Sequence, residues 1–352
     1  MQSFAIIVAK EGCGISMTIY DIAKKAGVSA STVSRVINNK PGIKEETRKR
    51  VQKLLDESGY TPDVMARGLV TQASRIIGIL IEDIRVAHHT DSAYVIEQEM
   101  TAYGYTCITF STGSDPIQKA KYIEILEQRR VQGVILIGSM FASEPVKQAI
   151  QRHLSEIPVV IVNGVLDLPN VYNILIDEEH GTEDCVEYLY DRGRRRFAYI
   201  MDVPTPSNQK KLKGFRSGIS RCNLALRDDQ IVDAPGCDPN PADSLIRGKA
   251  AAAILLEQCP DVDAILCATD MLAIGCMQVL QECGVKIPEQ IAVMGVDNSL
   301  YGQICTPTLS SLDNKLTELS LNAARILLDA FDGRTASHKI MLFTDIIARQ
   351  ST

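Results

Sequence analysis

The residues best suited to chemistry in this chain lie in TIYDIAKKAGVSASTVSRVINN, from Thr18 to Asn39. The chemistry they suit is hydrogen bonding to nucleic acid rather than bond making. Ile19, Ile22 and Ala23 recur at helical spacing, Gly27 permits a tight turn, and Ser29 can cap a second helix whose inner face is Val33, Val36 and Ile37. The outer face of that helix carries Ala30, Ser31, Thr32, Ser34, Arg35 and Asn38. These side chains are short enough to approach a major groove, and the arginine can make a bidentate contact with guanine. Motifs for catalysis are missing. No Gly-x-Gly-x-x-Gly follows a strand, no phosphate loop appears, and no serine sits in a nucleophile elbow, so an enzyme is not expected. The ten cysteines contain no Cys-x-x-Cys pair, and His88, His89, His153, His180 and His338 form no spaced set with them. Reduced, mostly buried thiols are therefore expected, with no metal and no cofactor.

The elements that must hold this reading face follow directly. Lys44 to Ser58 has the period of a third amphipathic helix, with Val51, Leu54 and Leu55 apolar and Lys44, Arg48, Lys49, Arg50 and Lys53 clustered. Charge then separates along the chain. Residues 17–76 hold eleven Lys and Arg against six Asp and Glu, whereas the residues beyond 76 hold 25 basic and 36 acidic side chains. A basic head on an acidic body is expected where only the head meets phosphate. Gly59-Tyr60-Thr61-Pro62 stops the third helix, and Asp63 to Leu69 offers one or two helical turns too short to stand alone.

From Arg75 the texture changes to near-continuous apolar strands separated by amphipathic helices. Strands are expected at 76–81, 105–110, 134–137, 159–162, 174–176, 197–201, 264–267 and 291–296. Eight such strands suit an α/β fold of two doubly wound parallel-sheet lobes, preceded by an all-α helix-turn-helix headpiece. The crossovers between lobes are expected near Asn163-Gly164 and after Val296-Asp297. This divides the chain into an extra segment over 1–16, either a disordered arm or a start-site artefact, a headpiece over 17–61, and a hinge helix and linker over 62–74. An N-terminal lobe takes 75–164 and 297–329, and a C-terminal lobe 165–296 and 330–352. A crevice at the carboxyl ends of the strands is the expected ligand site. No apolar run approaches the roughly 18 residues of a membrane span, and no convincing signal peptide leads the chain, so a cytoplasmic protein is expected.

With the headpiece TIYDIAKKAGVSASTVSRVINN, the segment PDVMARGLV, and the stretches ATDMLAIG at 268–275 and VMGVDN at 293–298, the sequence closely resembles the bacterial lactose and galactose repressor (LacI) family. The resemblance covers nearly everything from Met17 onward. It implies a transcription regulator, most often a repressor, that binds near-palindromic operator DNA as a homodimer or tetramer and responds to a small effector between two lobes. By it, Ala30, Ser31, Thr32 and Arg35 read bases, while Ser29, Ser34 and Asn38 contact phosphate. Thr18, Tyr20, Ala66 and Arg67 join the DNA-binding set, and Leu69 is the apolar wedge that kinks the duplex. Asp63 stands where members often carry asparagine. In the crevice the resemblance implies Asp297, with Asn163, Thr269 and Asn314 facing it. Lys211 stands where members usually carry arginine, which leaves a point charge in place of a planar fork. His88 and His89 replace apolar or aromatic residues. Sugars are the family's commonest effectors and purines a minority, so a sugar or sugar-like metabolite is expected, with the lysine and the two histidines favouring a carboxylated or phosphorylated one. Asp270 is expected as an N-cap. Whether the effector releases or promotes DNA binding is open at this stage. A solute-binding protein is the competing reading, opposed by the basic head.

Overall fold

A computed structural model describes residues 17–37, 40–58, 74–233, 243–334 and 337–352. The chain forms two compact units, residues 1–73 and 74–352. Asn38, Asp63, Ala66, Arg67 and Leu69, with the segment 1–16 and nearly all of the expected hinge, lie outside the described residues.

In the first unit three helices, α1 (Ile19–Ala26), α2 (Ala30–Ile37) and α3 (Glu45–Ser58), enclose a small core. Thr18 caps α1 through a capping box. Its backbone N–H and hydroxyl both donate to Asp21 Oδ2, at 2.9 and 2.6 Å, and Asp21 N–H returns to the Thr18 hydroxyl at 3.3 Å. Gly27 ends α1 at φ 64°, a left-handed conformation that turns the chain toward α2 at no steric penalty. Ile22, Ala23, Ala26, Val33, Val36, Val51 and Leu55 meet in the interior, the faces expected from their spacing. Ala30 also packs against this core and is half-buried.

The second unit holds two six-stranded sheets. The chain runs through β1 (Ile76–Ile81), α4 (Ala87–Ala102), β2 (Thr106–Ser111), α5 (Pro116–Gln128), β3 (Gly133–Ile137), α6 (Glu144–His153), β4 (Val159–Val162) and β5 (Val171–Ile176). It crosses into the second lobe with α7 (Glu178–Asp191), β6 (Phe197–Ile200), α8 (Pro206–Arg221), β7 (Ile231–Val232), α9 (Ser244–Gln258), β8 (Ala264–Cys267), α10 (Asp270–Glu282), β9 (Ala292–Val296), α11 (Leu300–Ile304) and β10 (Ser310–Asp313). It returns with α12 (Leu316–Phe331) and β11 (Lys339–Leu342), and ends in the second lobe with β12 (Asp345–Ile347). The first sheet is ordered β11-β5-β4-β3-β1-β2 and is parallel throughout. The second is ordered β12-β10-β9-β8-β6-β7, with only β12 antiparallel. In the first lobe Ile77, Ile79, Ile135 and Ile137 face one apolar layer, and Leu80, Val134 and Leu136 face another. Two buried faces explain why these strands read as unbroken apolar runs.

The crossings differ from the sequence expectation. The turn at Asn163-Gly164 does not leave the first lobe. Leu166 and Leu168 pack into its core, and β5 pairs in register with β4, so the chain crosses only at Asp177. The second crossing falls after β10, not after Val296-Asp297: Ser310–Asp313 pairs with β9, and Leu309 and Leu312 anchor it in the second core. Residues 339–342, expected in the C-terminal lobe, form the edge of the first sheet beside β5. The lobe to which each of these strands belongs is set by pairing, not by pattern, and Ser310–Asp313 has only one apolar residue. Among the described residues no helix is long and apolar enough to cross a membrane.

Candidate functional site

On the headpiece, Ser29, Ser31, Arg35 and Thr18 are exposed, Thr32 and Ser34 are half-buried, and Tyr20 is 73% exposed. The Ser29 hydroxyl accepts from the Thr32 backbone N–H at 3.2 Å and lies 2.8 Å from the Ser31 hydroxyl and 2.9 Å from that of Thr32. These hydroxyls satisfy one another while remaining at the surface, where each can turn outward to a base edge or a phosphate. Thr18 has the added task of holding the Asp21 carboxyl, which its hydroxyl and N–H keep below the usual carboxylate range. Arg48 closes the base of the unit by donating Nη2 to the Lys40 carbonyl at 2.8 Å.

In the second unit, the first sheet reverses its strand order between β1 and β3, and the second between β6 and β8. The loops leaving these strands bound a cleft of about 520 Å³, lined by His88 from one lobe and by Asp202, Thr269, Asp270 and Asp297 from the other. Of the residues expected at this crevice, His88, Thr269 and Asp297 line it directly. Asn314 reaches it by donating Nδ2 to Asp297 Oδ1 at 2.9 Å. Lys211 is buried beneath: its ammonium donates to the Ala268 carbonyl at 3.0 Å and to Asn208 Oδ1 at 3.2 Å, with Glu178 Oε1 3.6 Å away. Asn163 stands at the end of β4 at φ 57°. His89 does not line the cleft. It is buried, with Nδ1 3.2 Å from the Asp83 carbonyl.

Asp270 is not the cap of α10. Thr269 is, accepting the Leu272 N–H at 3.4 Å, while Asp270 binds the Ser311 hydroxyl and the Ser299 N–H, each at 2.6 Å. Gly295 makes this possible, because a Cβ there would sit 2.3 Å from Asp270 Oδ1. Burial pushes the Asp270 carboxyl up to about 7, with the charge of Asp297 adding to it. Burial likewise pushes Asp297 to about 7, against the pull of Lys211. Burial drives His88 and His89 down to about 4, so both are neutral near pH 7. Burial lowers the Lys211 pKa, but Glu178, Asp297 and Asp202 together outweigh it and leave the ammonium more basic than usual. Asp297 and Asn298 both hold positive φ, 113° and 51°, a strain of about 1 to 3 kcal/mol each that is concentrated at this rim. Arg349 supports the rim by donating to Asn298 Oδ1 and, at 2.7 Å, to the Leu309 carbonyl.

Sequence reasoning missed Asp202, Arg247 and Glu178. Arg247 on α9 is held between Asp202 and Asp233, the latter at 2.9 Å. Glu178, at the first crossing, accepts the Ser207 hydroxyl at 2.6 Å, and the Ser207 N–H in turn donates to the Ser139 hydroxyl of the other lobe at 3.2 Å. Asp202 and Glu178 each stand two residues after an apolar strand, a weak signal because such charges are common there, and Arg247 lies within a helix, so only topology gathers the three. Among the described residues no group of side chains has the arrangement of a metal site, and the cysteines are free thiols.

Residues 18–63 match bacterial regulatory proteins of the lacI family, and residues 186–352 match the periplasmic binding protein-like domain. An HTH-type transcriptional regulator of Lachnoclostridium phytofermentans is 32% identical over 96% of this chain and 99% of its own length. Among solved structures, the lac repressor dimer bound to operator and an anti-inducer superposes with a TM-score of 0.83 at 21% identity, covering 95% of this chain and 98% of that one. The transcriptional regulator CelR–cellobiose complex gives a TM-score of 0.69 at 24% identity, covering 96% of this chain and 100% of that one. With 96% of the chain aligned at 32% identity to a transcriptional regulator, and with a basic three-helix head followed by two lobes around a cleft, the chain belongs to the lacI family of bacterial regulatory proteins.

Proposed function

We propose that this chain is a cytoplasmic repressor that binds near-palindromic operator DNA as a homodimer and whose operator affinity is set by a small polyhydroxylated effector held in the cleft. The observation that carries the reading is the exposed Arg35, flanked by exposed or half-exposed hydroxyls, on the second helix of a basic headpiece. Ser31, Thr32 and Arg35 are assigned to base edges, and Thr18, Tyr20, Ser29 and Ser34 to the backbone. His88, Asp297, Asn314 and Thr269 are assigned to the effector, a role supported by burial, by the strained backbone at Asp297 and by the relative solved with cellobiose. The homodimer is supported by the apolar face of α11, where Leu300, Tyr301 and Ile304 are 66%, 47% and 69% exposed, and by the lac repressor's being a dimer on its operator.

The test is retention of a labelled palindromic operator by the purified chain, with and without candidate sugars. Retention that a sugar changes supports the reading. A chain that holds all DNA sequences equally, or whose retention no sugar alters, refutes it.

A further inference from the structure

Every cation at the floor of the cleft already has its partner, while several acceptors do not. Lys211, 4% exposed, gives its ammonium protons to Ala268 and Asn208 and faces Glu178. Arg247, 3% exposed, is shared by Asp202 and Asp233. Glu178 is 1% exposed and uses only one carboxylate oxygen: Oε1 accepts from Ser207, and Oε2 meets no donor among the described residues. The Oδ1 atoms of Asn163 and Asn314 are likewise unmatched. For Asn314 the orientation is fixed, because its amide donates to Asp297. Glu178 lies behind the residues that line the cleft, 3.6 Å from the Lys211 ammonium, and Asn314 is tied to the lining residue Asp297 at 2.9 Å. A buried carboxylate oxygen without a donor is costly in a folded chain, and a donor supplied from outside relieves it.

We propose that Glu178 contacts the ligand directly, its Oε2 accepting an O–H or N–H, and that it makes the cleft selective for neutral or amine-bearing polyhydroxyl compounds over the corresponding acids. The proposal rests on the cleft being the effector site. A carboxylate or phosphate would bring negative charge to a cleft lined by Asp202, Asp270 and Asp297 and backed by Glu178. Among the described residues each cation near the cleft already has a partner: Arg85 at the rim pairs with Asp83, and the lysine that suggests an anionic effector in the sequence is consumed inside the fold. Sugars and amino sugars bring donors on every carbon, which is what Glu178, Asn163 and Asn314 lack.

Titration calorimetry on the full chain with matched probes tests this: glucose, glucosamine and glucuronate; galactose, galactosamine and galacturonate; cellobiose and cellobionate. Binding is expected from neutral or amino members at least tenfold tighter than from their acids. Glu178→Gln should weaken the bound sugar by tenfold or more. By releasing the Lys211 ammonium it should also raise the relative affinity of the acid by a similar factor, a change of preference that a purely structural role would not produce. Glu178→Asp keeps the charge for folding but withdraws the oxygen by one methylene, and should weaken the sugar while leaving the acid excluded. An acid that binds the unmodified chain as tightly as its neutral counterpart overturns the proposal. So does the absence of any neutral or amino binder, or affinity and preference unchanged within twofold in both variants. An acid that alters operator retention would remove this role of Glu178 and leave the effector site standing. A sugar bound through Glu178 that leaves operator retention unchanged would do the reverse.

Discussion

The headpiece and the cleft both present polar side chains for recognition, and they do so under opposite conditions. On α2 the hydroxyls of Ser29, Ser31 and Thr32 pair with one another at the surface, and Arg35 stands in water. In the cleft Asp297 is half-buried, Asp270 and Glu178 behind it are removed from water, and oxygens of Glu178 and Asn314 are unmatched. The contrast separates two ways of binding. A wet, charged face gains affinity from counterion release and is tuned by ionic strength. A cleft backed by buried polar groups gains selectivity from the cost of mismatched hydrogen bonds and is tuned by protons.

The widest separation should appear with salt. Raising it from 50 to 200 mM should weaken operator retention by roughly a thousandfold if a dimer neutralises about six phosphates. Sugar affinity measured by calorimetry over the same range should barely move, and a common salt slope for both ligands would break the comparison. Next in size, Asp297→Ala should reduce sugar affinity by about ten- to a hundredfold, the worth of a hydrogen bond to a charged group, with operator retention intact in a gel-shift assay. Arg35→Ala should do the opposite. It should cost about 1 to 3 kcal/mol at one symmetric base pair while sugar binding is unchanged, and a uniform loss across all operator variants would instead make Arg35 a phosphate contact.

The smallest effect is on stability against pH. Asp297 and Asp270 ionise near 7 in the folded chain against 3.8 when unfolded, so their contribution is complete below about 4 and is lost as pH rises through 7. His88 and His89 titrate near 4 folded against 6.5 unfolded, so their contribution is complete above 6.5 and is lost as pH falls toward 4. Urea midpoints should therefore be nearly flat between pH 4 and 6.5, where the two pairs oppose each other, and should decline just above. Asp297→Ala should shrink that decline, and an undiminished one would place its origin elsewhere.

How much of this is legible in the residues alone depends on whether a role is local. The three head helices follow from the period of Ile22, Val33, Val36, Val51 and Leu55, and α3 begins one residue from its expected start. Strands β1, β4 and β8 coincide with their apolar runs. What escapes is long-range. Ser310–Asp313 looks like a loop until β9 lies beside it, and Lys211 looks like a free charge until α8 carries it to Ala268, Asn208 and Glu178. Asp270 resembles a cap because its role depends on Ser299 and Ser311, some thirty to forty residues away.

The last two strands, β11 and β12, each complete a different sheet. During synthesis from the amino end, the three-helix unit has all its parts before residue 60, whereas neither lobe has all its strands until residue 342 or 347 has been added. A nascent chain thus carries a finished three-helix headpiece long before it has a finished pair of lobes. Any truncation that removes the final fourteen residues would strip an edge from both lobes at once, leaving the gripping part without its control.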